Sequence, residues 1–299
     1  MLSSLCYAGL RATGIPALAR RLRHGALILC YHNVVRRRHS TALGDPAIHL
    51  PLERFERQLA WLGAHYRIVP LAHLVEELRT GRCLQRVAAL TFDDAYTGFF
   101  RHAWPLLRDR GIPATVFIVA AAPDERQPFW WDQVGGAADR FPGRRERWLE
   151  EAHGAARPVR EAELGRGSAE FPECHRPADW ATIAAAGRAG LELGAHSMTH
   201  RVLPHLSDAE LDAELAGGRD VVWRATGVRP QLFAYPYGRW DRRVLDAVRA
   251  AGYQAALTLD QGLNRPGADP WALCRVNVPA TISDAAFQAW TAGLHPPRR

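Results

Sequence analysis

An α/β barrel of the TIM type is the fold class this sequence predicts, with a doubly wound open sheet as the alternative that pattern alone leaves open. Two observations carry it. Short apolar runs alternate with helical patterns in one continuous series from about residue 26 to the end, the signature of repeated βα units around a parallel sheet. The chain's 299 residues, 47% hydrophobic and 23% charged, have the composition of a globular, enzyme-sized protein rather than of a disordered or fibrous chain.

The expected strands, in order, are Ala26 to Tyr31, Tyr66 to Val69, Val87 to Phe92, Ala114 to Val119, Leu191 to Ala195, Leu232 to Tyr235, Gln254 to Leu259 and Leu273 to Val278. The helices between them carry their own punctuation. Gly111 follows a helix near Ala103 to Asp109, Ser207-Asp-Ala-Glu210 reads as a capping box, and Ser283 opens a second capped helix. Residues 121 to 178 break the rhythm: they are rich in Arg, Glu, Gly and Pro, contain Phe129-Trp130-Trp131-Asp132, and hold one charged helix near 143 to 153. We read them as an insertion in a catalytic domain spanning 26 to 299, forming a wall or lid of a site.

Several function classes are excluded early. No apolar run approaches the roughly 20 residues of a membrane-spanning helix. Five widely spaced cysteines without a CxxC pair indicate neither a disulfide framework nor a thiolate zinc finger. All 38 basic residues are arginine, which removes mechanisms that need a lysine, such as Schiff bases and the P-loop.

The net charge of +7 is unevenly placed. Arg11, Arg20, Arg21, Arg23, Arg36, Arg37 and Arg38 fall within residues 1 to 44, which contain no acid, and the remaining arginines balance the 31 acidic residues. The basic character therefore belongs to one N-terminal segment and no nucleic acid partner is expected. Residues 1 to 25 read as a basic helical segment that could rest on an anionic membrane surface, with Leu5, Leu10, Ile15, Leu18 and Leu22 interleaved among the arginines. A helix packed on the barrel is the plainer alternative. The start lacks the pattern of a secretory signal, so a cytoplasmic location is expected, with peripheral contact at the inner membrane face.

Function in such barrels collects where strands end. The run Val87 to Phe92 ends in Asp93-Asp94, and adjacent side chains on extended backbone diverge, so one carboxylate can face a metal while the other faces substrate. Helix capping is the plainer use of such aspartates. The run Leu191 to Ala195 ends in His196-Ser-Met-Thr-His200; on a helical turn both imidazoles would face a single ion. Among 13 histidines one such pair arises easily by chance, but a matching carboxylate pair after another strand strengthens it. Two imidazoles and a carboxylate leave open positions, as catalytic zinc or iron requires. The run Leu232 to Tyr235 ends in Pro236-Tyr237-Gly238, which by itself is a turn that lets backbone approach a ligand.

Together, Thr91-Phe92-Asp93-Asp94, His196-Ser197-Met198-Thr199-His200 and Phe233-Ala234-Tyr235-Pro236-Tyr237-Gly238 resemble, in order and spacing, the polysaccharide deacetylase family, the NodB-homology group of carbohydrate esterases. The likeness covers roughly residues 26 to 280. It implies a distorted (β/α)7-type barrel and metal-dependent removal of N-acetyl groups from an amino-sugar polysaccharide, oligosaccharide or lipid-linked glycan precursor. It also implies Asp94, His196 and His200 as metal ligands, Asp93 as the general base, Ser197 as a brace for the histidine turn, and the backbone N–H of Tyr237 as an oxyanion donor. The ion expected is divalent, zinc first, with Co2+, Ni2+, Mn2+ or Fe2+ as alternatives. Asp93→Asn is expected to keep shape and metal while removing the proton acceptor.

Two departures from the family pattern matter. The arginine that many members place two residues before the proline is Ala234 here, so the partner of the base is different or absent. The late Leu-x-His that supplies a general acid is missing; the last strands end in Leu259-Asp-Gln261 and Arg275-Val-Asn-Val278. The Phe-x-Tyr-Pro-Tyr-Gly form with Tyr31-His32 near the start nonetheless looks like an exopolysaccharide branch. His32, at the end of the first strand, is the expected replacement acid, titrating near neutral pH, with His205 next. Trp130, Trp131 and Trp240 are expected to line a sugar-binding groove. Removal of another acyl or formyl group, opening of a small cyclic amide, or carbohydrate binding without catalysis are the competing functions.

Overall fold

The structure, a computed structural model, describes residues 4–36, 44–135, 143–163 and 171–295. Arg37 and Arg38 of the arginine-rich start lie outside them. Each of the eight predicted runs contains a strand: β1 Leu27–Tyr31, β4 Arg67–Ile68, β5 Val87–Phe92, β6 Thr115–Ile118, β7 Glu192–Ala195, β8 Leu232–Ala234, β9 Ala255–Leu257 and β10 Val276–Asn277. Two more, β2 Asn33–Val35 and β3 His49–Pro51, form a separate parallel pair.

The main sheet runs β10-β1-β5-β6-β7-β8-β9 with every pairing parallel, and β4 pairs the first residues of β5. Its two edges meet through one short segment. Leu257 bridges Leu273 in parallel, Thr258 N–H donates to the Leu273 carbonyl at 2.8 Å, and the chain then enters β10 beside β1. The sheet is thus curled into a distorted (β/α)-type barrel rather than left as an open doubly wound sheet.

Strand alternation divides the apolar residues into two layers. Leu27, Leu29 and Tyr31 of β1 and Ala88, Leu90 and Phe92 of β5 pack under the surrounding helices. Ile28, Ala89 and Phe117 belong to the other cluster, with Leu232, Ala234, Ala255 and Leu257. The same parity places Cys30 and His32 above Ile28, and Thr91 and Asp93 above Ala89, so the inner column turns polar at the carboxyl ends of the strands.

Between β6 and β7 the described residues leave the barrel in the short helices Ala122–Glu125, Trp130–Gly135, Arg144–Ala152 and Ala156–Glu163 and a 3-10 turn at Glu173–His175, before the helix Trp180–Arg188 leads into β7. The short helices share a small core of Phe129, Trp130, Trp131, Val134, Leu149 and Val159 with Tyr96. Ser207 and Glu210 form the expected capping box, and Ser283 accepts from the Ala286 N–H.

Candidate active site

Backbone geometry at the end of β5 separates the two aspartates. Asp94 and Ala95 adopt left-handed φ values of 70° and 51°, a conformation that aspartate tolerates better than most residues. Asp93, with its N–H donating to the Tyr31 carbonyl at 2.9 Å, turns toward the barrel interior. Asp94 turns toward the histidines.

The histidine turn is not helical. Ser197 and His200 both have positive φ, 64° and 62°, and the Ser197 hydroxyl accepts from the His200 N–H at 2.9 Å. This hydrogen bond folds the turn so that the rings converge although the helical spacing is absent. The Nδ1–H of His196 donates to the Ala234 carbonyl at 2.7 Å, which aims its Nε2 lone pair at the centre.

The three inner donors form a small triangle. His196 Nε2 and His200 Nε2 stand 3.1 Å apart, and each is 3.6 Å from Asp94 Oδ1. Ligands about 2.0–2.1 Å from a tetrahedral ion stand about 3.3 Å from one another, so this set has the spacing of a coordination shell. Asp94 Oδ1 is buried without a hydrogen-bond partner, and burial pushes its carboxyl up, helped by Asp93 and Asp132. Burial also lowers the pKa of His196 and His200, keeping both rings neutral. A buried orphan carboxylate oxygen and two neutral imidazoles are a donor set that a divalent cation fits.

Asp93 has a partner that the sequence reading missed. Arg275 Nη1 and Nη2 donate to its two oxygens at 2.7 and 2.9 Å, and the arginine is fully buried. Its Nε–H donates to the Thr258 carbonyl at 2.9 Å, and its guanidinium lies 5.6 Å from the Phe117 ring centre. Burial alone would raise the Asp93 carboxyl, but Arg275 and His196 hold it well below the usual range. The arginine partner of this carboxylate therefore comes from the position just before β10, 182 residues from Asp93, and not from position 234. A charged residue set between Leu273 and Val276 in an otherwise apolar run was the available signal.

His32 sits at the end of β1, partly buried. One of its ring nitrogens, the Cys30 sulfur and an Asp93 oxygen lie within 4.8 Å of one another. The Cys30 thiol donates to Asp93 Oδ2 at 3.3 Å, and burial pushes its pKa up. With Arg275 on both Asp93 oxygens, the carboxylate of this second cluster is already paired. Burial lowers the His32 pKa to about 4, so the ring is neutral at pH 7, contrary to the expected neutral-range titration. His205 is exposed and stacked on His153 at 4.1 Å.

The residues between β6 and β7 form the wall behind the histidines. The Trp131 ring centre lies 4.6 Å from that of His200, and Tyr237 stands edge-on to His200 at 4.4 Å. Trp130 Nε1–H donates to the Tyr237 hydroxyl at 3.1 Å. Gly154 admits this close packing: a Cβ there would fall 2.9 Å from the His200 carbonyl and 3.0 Å from the Tyr237 ring, and its φ is +80°. Asp132, also missed, anchors the wall by accepting from Tyr96 at 2.7 Å and bonding the His49 ring at 2.8 Å. Trp130 and Trp131 are 1% and 2% exposed, so they are packing residues and offer no face for a sugar. Trp240 is half-buried, its indole N–H on Asp260. Tyr237 itself has φ 57° in the Pro236–Gly238 turn.

The profile of the polysaccharide deacetylase family matches residues 81–256. YxkH of Bacillus subtilis strain 168, named for the same family, is 20% identical over 84% of this chain and 73% of its own. The deacetylase PplD of Streptococcus pyogenes superposes with a TM-score of 0.63 at 18% identity, covering 87% of this chain and 94% of that one. IcaB from Ammonifex degensii gives 0.63 at 21% identity, over 90% of this chain and 98% of its own. The chain belongs to the polysaccharide deacetylase family, hydrolases that act on amide bonds.

Proposed function

We propose that this protein is a metal-dependent deacetylase that hydrolyses the N-acetyl groups of amino sugars in a polysaccharide, oligosaccharide or lipid-linked glycan precursor. One observation carries the reading: Asp94, His196 and His200 present three donors at coordination spacing while an ionised Asp93 is clamped beside them by Arg275. A divalent ion held there, zinc or a similar borderline metal, would supply Lewis-acid polarisation and make a water molecule more acidic.

The rest is done by the chain. Asp93, kept ionised by Arg275, takes a proton from the attacking water. The backbone N–H of Tyr237, on a turn packed against His200, donates to the oxyanion that forms as water adds to the acetamide carbonyl. When the C–N bond breaks, His32 delivers a proton to the departing amine, leaving acetate and a free amino sugar. Since His32 is neutral at pH 7, its proton comes from Asp93 within the cycle rather than from solvent.

The test is acetate release from N-acetylated oligosaccharides and lipid-linked precursors, with and without chelator. Chelation should abolish release and metal should restore it; chelator-insensitive turnover would reject metal dependence. His196→Ala/His200→Ala should lose stoichiometric metal, and full retention would remove these ligands.

His32→Ala should keep its metal and lose about 10- to 100-fold in kcat. Its pH–rate profile should hold its shape between about pH 6 and 9, because the ring does not titrate there. Wild-type turnover would place the acid elsewhere.

A further inference from the structure

The first described residues form two short helices, α1 Ser4–Ala12 and α2 Ile15–Leu22, laid on the barrel's flank. Their inner side is well occupied. Tyr7 is buried, its hydroxyl accepting from Trp290 Nε1–H at 2.9 Å; Pro16 is buried, and the Arg20 guanidinium lies 4.9 Å over the Trp61 ring.

Their outer side is apolar where a helix packed on a barrel should be polar. Leu5 is 82% exposed, Ile15 45%, Leu18 56% and Leu22 65%. Among the described residues only two other large apolar side chains are comparably exposed, Trp223 and Val228, and Trp223 is covered by Arg229 at 5.0 Å. Ile15, Leu18 and Leu22 share one helix face by their spacing. Exposed Arg11, Arg21 and Arg23 flank it, and no acid occurs before Asp45.

We infer that the α1–α2 face is an interfacial docking element for a lipid bilayer carrying anionic headgroups. Charge decides the occupant. A second copy meeting the same face about a two-fold axis would set these arginines against each other with no acid to pair them. A nucleic acid would take the arginines and leave the leucines in water. An anionic bilayer takes both, the leucines entering the headgroup–acyl boundary while the arginines stay among the phosphates.

The geometry leaves the site free. α2 leads into the amino end of β1, whereas His32 follows its carboxyl end, roughly 16 Å away for a five-residue strand. A chain docked on its flank keeps its strand ends accessible to a glycan.

Co-sedimentation of the full chain with vesicles tests this. Vesicles of phosphatidylcholine with about a quarter phosphatidylglycerol should bind it, and phosphatidylcholine alone should not. Leu18→Ser/Leu22→Ser and Arg11→Gln/Arg21→Gln should each weaken binding at least about tenfold, and added salt should weaken the wild type. These side chains are exposed, so thermal melts of both variants should match the wild type. Absence of binding to anionic vesicles, or variants that bind as the wild type does, would overturn the inference. So would a dimer in light scattering that Leu18→Ser/Leu22→Ser dissolves while vesicles bind nothing.

Discussion

Asp93→Asn should lower kcat by about 10² or more and should also destabilise the fold. The second effect departs from the sequence expectation of an isosteric change that leaves folding untouched. Arg275 is fully buried and gives two N–H groups to the Asp93 oxygens. Asparagine offers it one acceptor oxygen and no charge. Removing one partner of a buried ion pair costs about 3–5 kcal/mol, because the other charge stays in low dielectric without compensation. Adding Arg275→Met removes the orphaned charge and fills its volume, so the double variant should recover much of the lost stability while turnover stays low. Denaturant melts and acetate release separate the two effects. Wild-type turnover in Asp93→Asn would remove the base, and restored turnover in the double variant would reduce Asp93 to a packing role.

The pair also marks the boundary of what the chain's pattern reveals. Strands such as Val87–Phe92 are legible because six consecutive buried residues leave a run that is apolar but for Thr91. The barrel's parity then places Asp93 and His32 on the same inner face of neighbouring strands, a consequence of period two alone. The three-residue strands β2 and β3 are too short to carry a period, and they went unseen. The histidine pair was legible as a pair but not as a shape: its convergence rests on left-handed φ values at Ser197 and His200 that residue spacing does not encode. In sequence Trp130 and Trp131 suit a sugar platform as well as a core, and only the packing around Asp132 and Tyr96 shows them buried. Arg275 was the hardest to see. Its setting in an apolar run marks it as unusual, but its partner lies 182 residues away, and the local sequence does not say which carboxylate it meets.

Arg275→Met alone should therefore destabilise the protein by about 3–5 kcal/mol near neutral pH, and the loss should depend on pH in a stated direction. In the wild type the folded Asp93 pKa lies below the unfolded value of about 3.9, so the pair's contribution is fully present above that pH and is lost only as pH falls through the lower, folded value. Without the guanidinium, burial becomes the dominant influence and lifts the carboxyl above its unfolded value. The folded variant then binds a proton more readily than the unfolded chain, and its stability falls as pH rises. The gap between variant and wild type should narrow as pH is lowered from about 7 toward 4. Catalysis should register the same change, because Asp93 must be ionised to accept a proton: the acidic limb of kcat/KM should move upward by about one unit or more in the variant. Metal content serves as the control, since Arg275 touches none of the three donors. A stability gap constant between about pH 4 and 8, with an unmoved limb, would mean that Arg275 does not set the charge of the base.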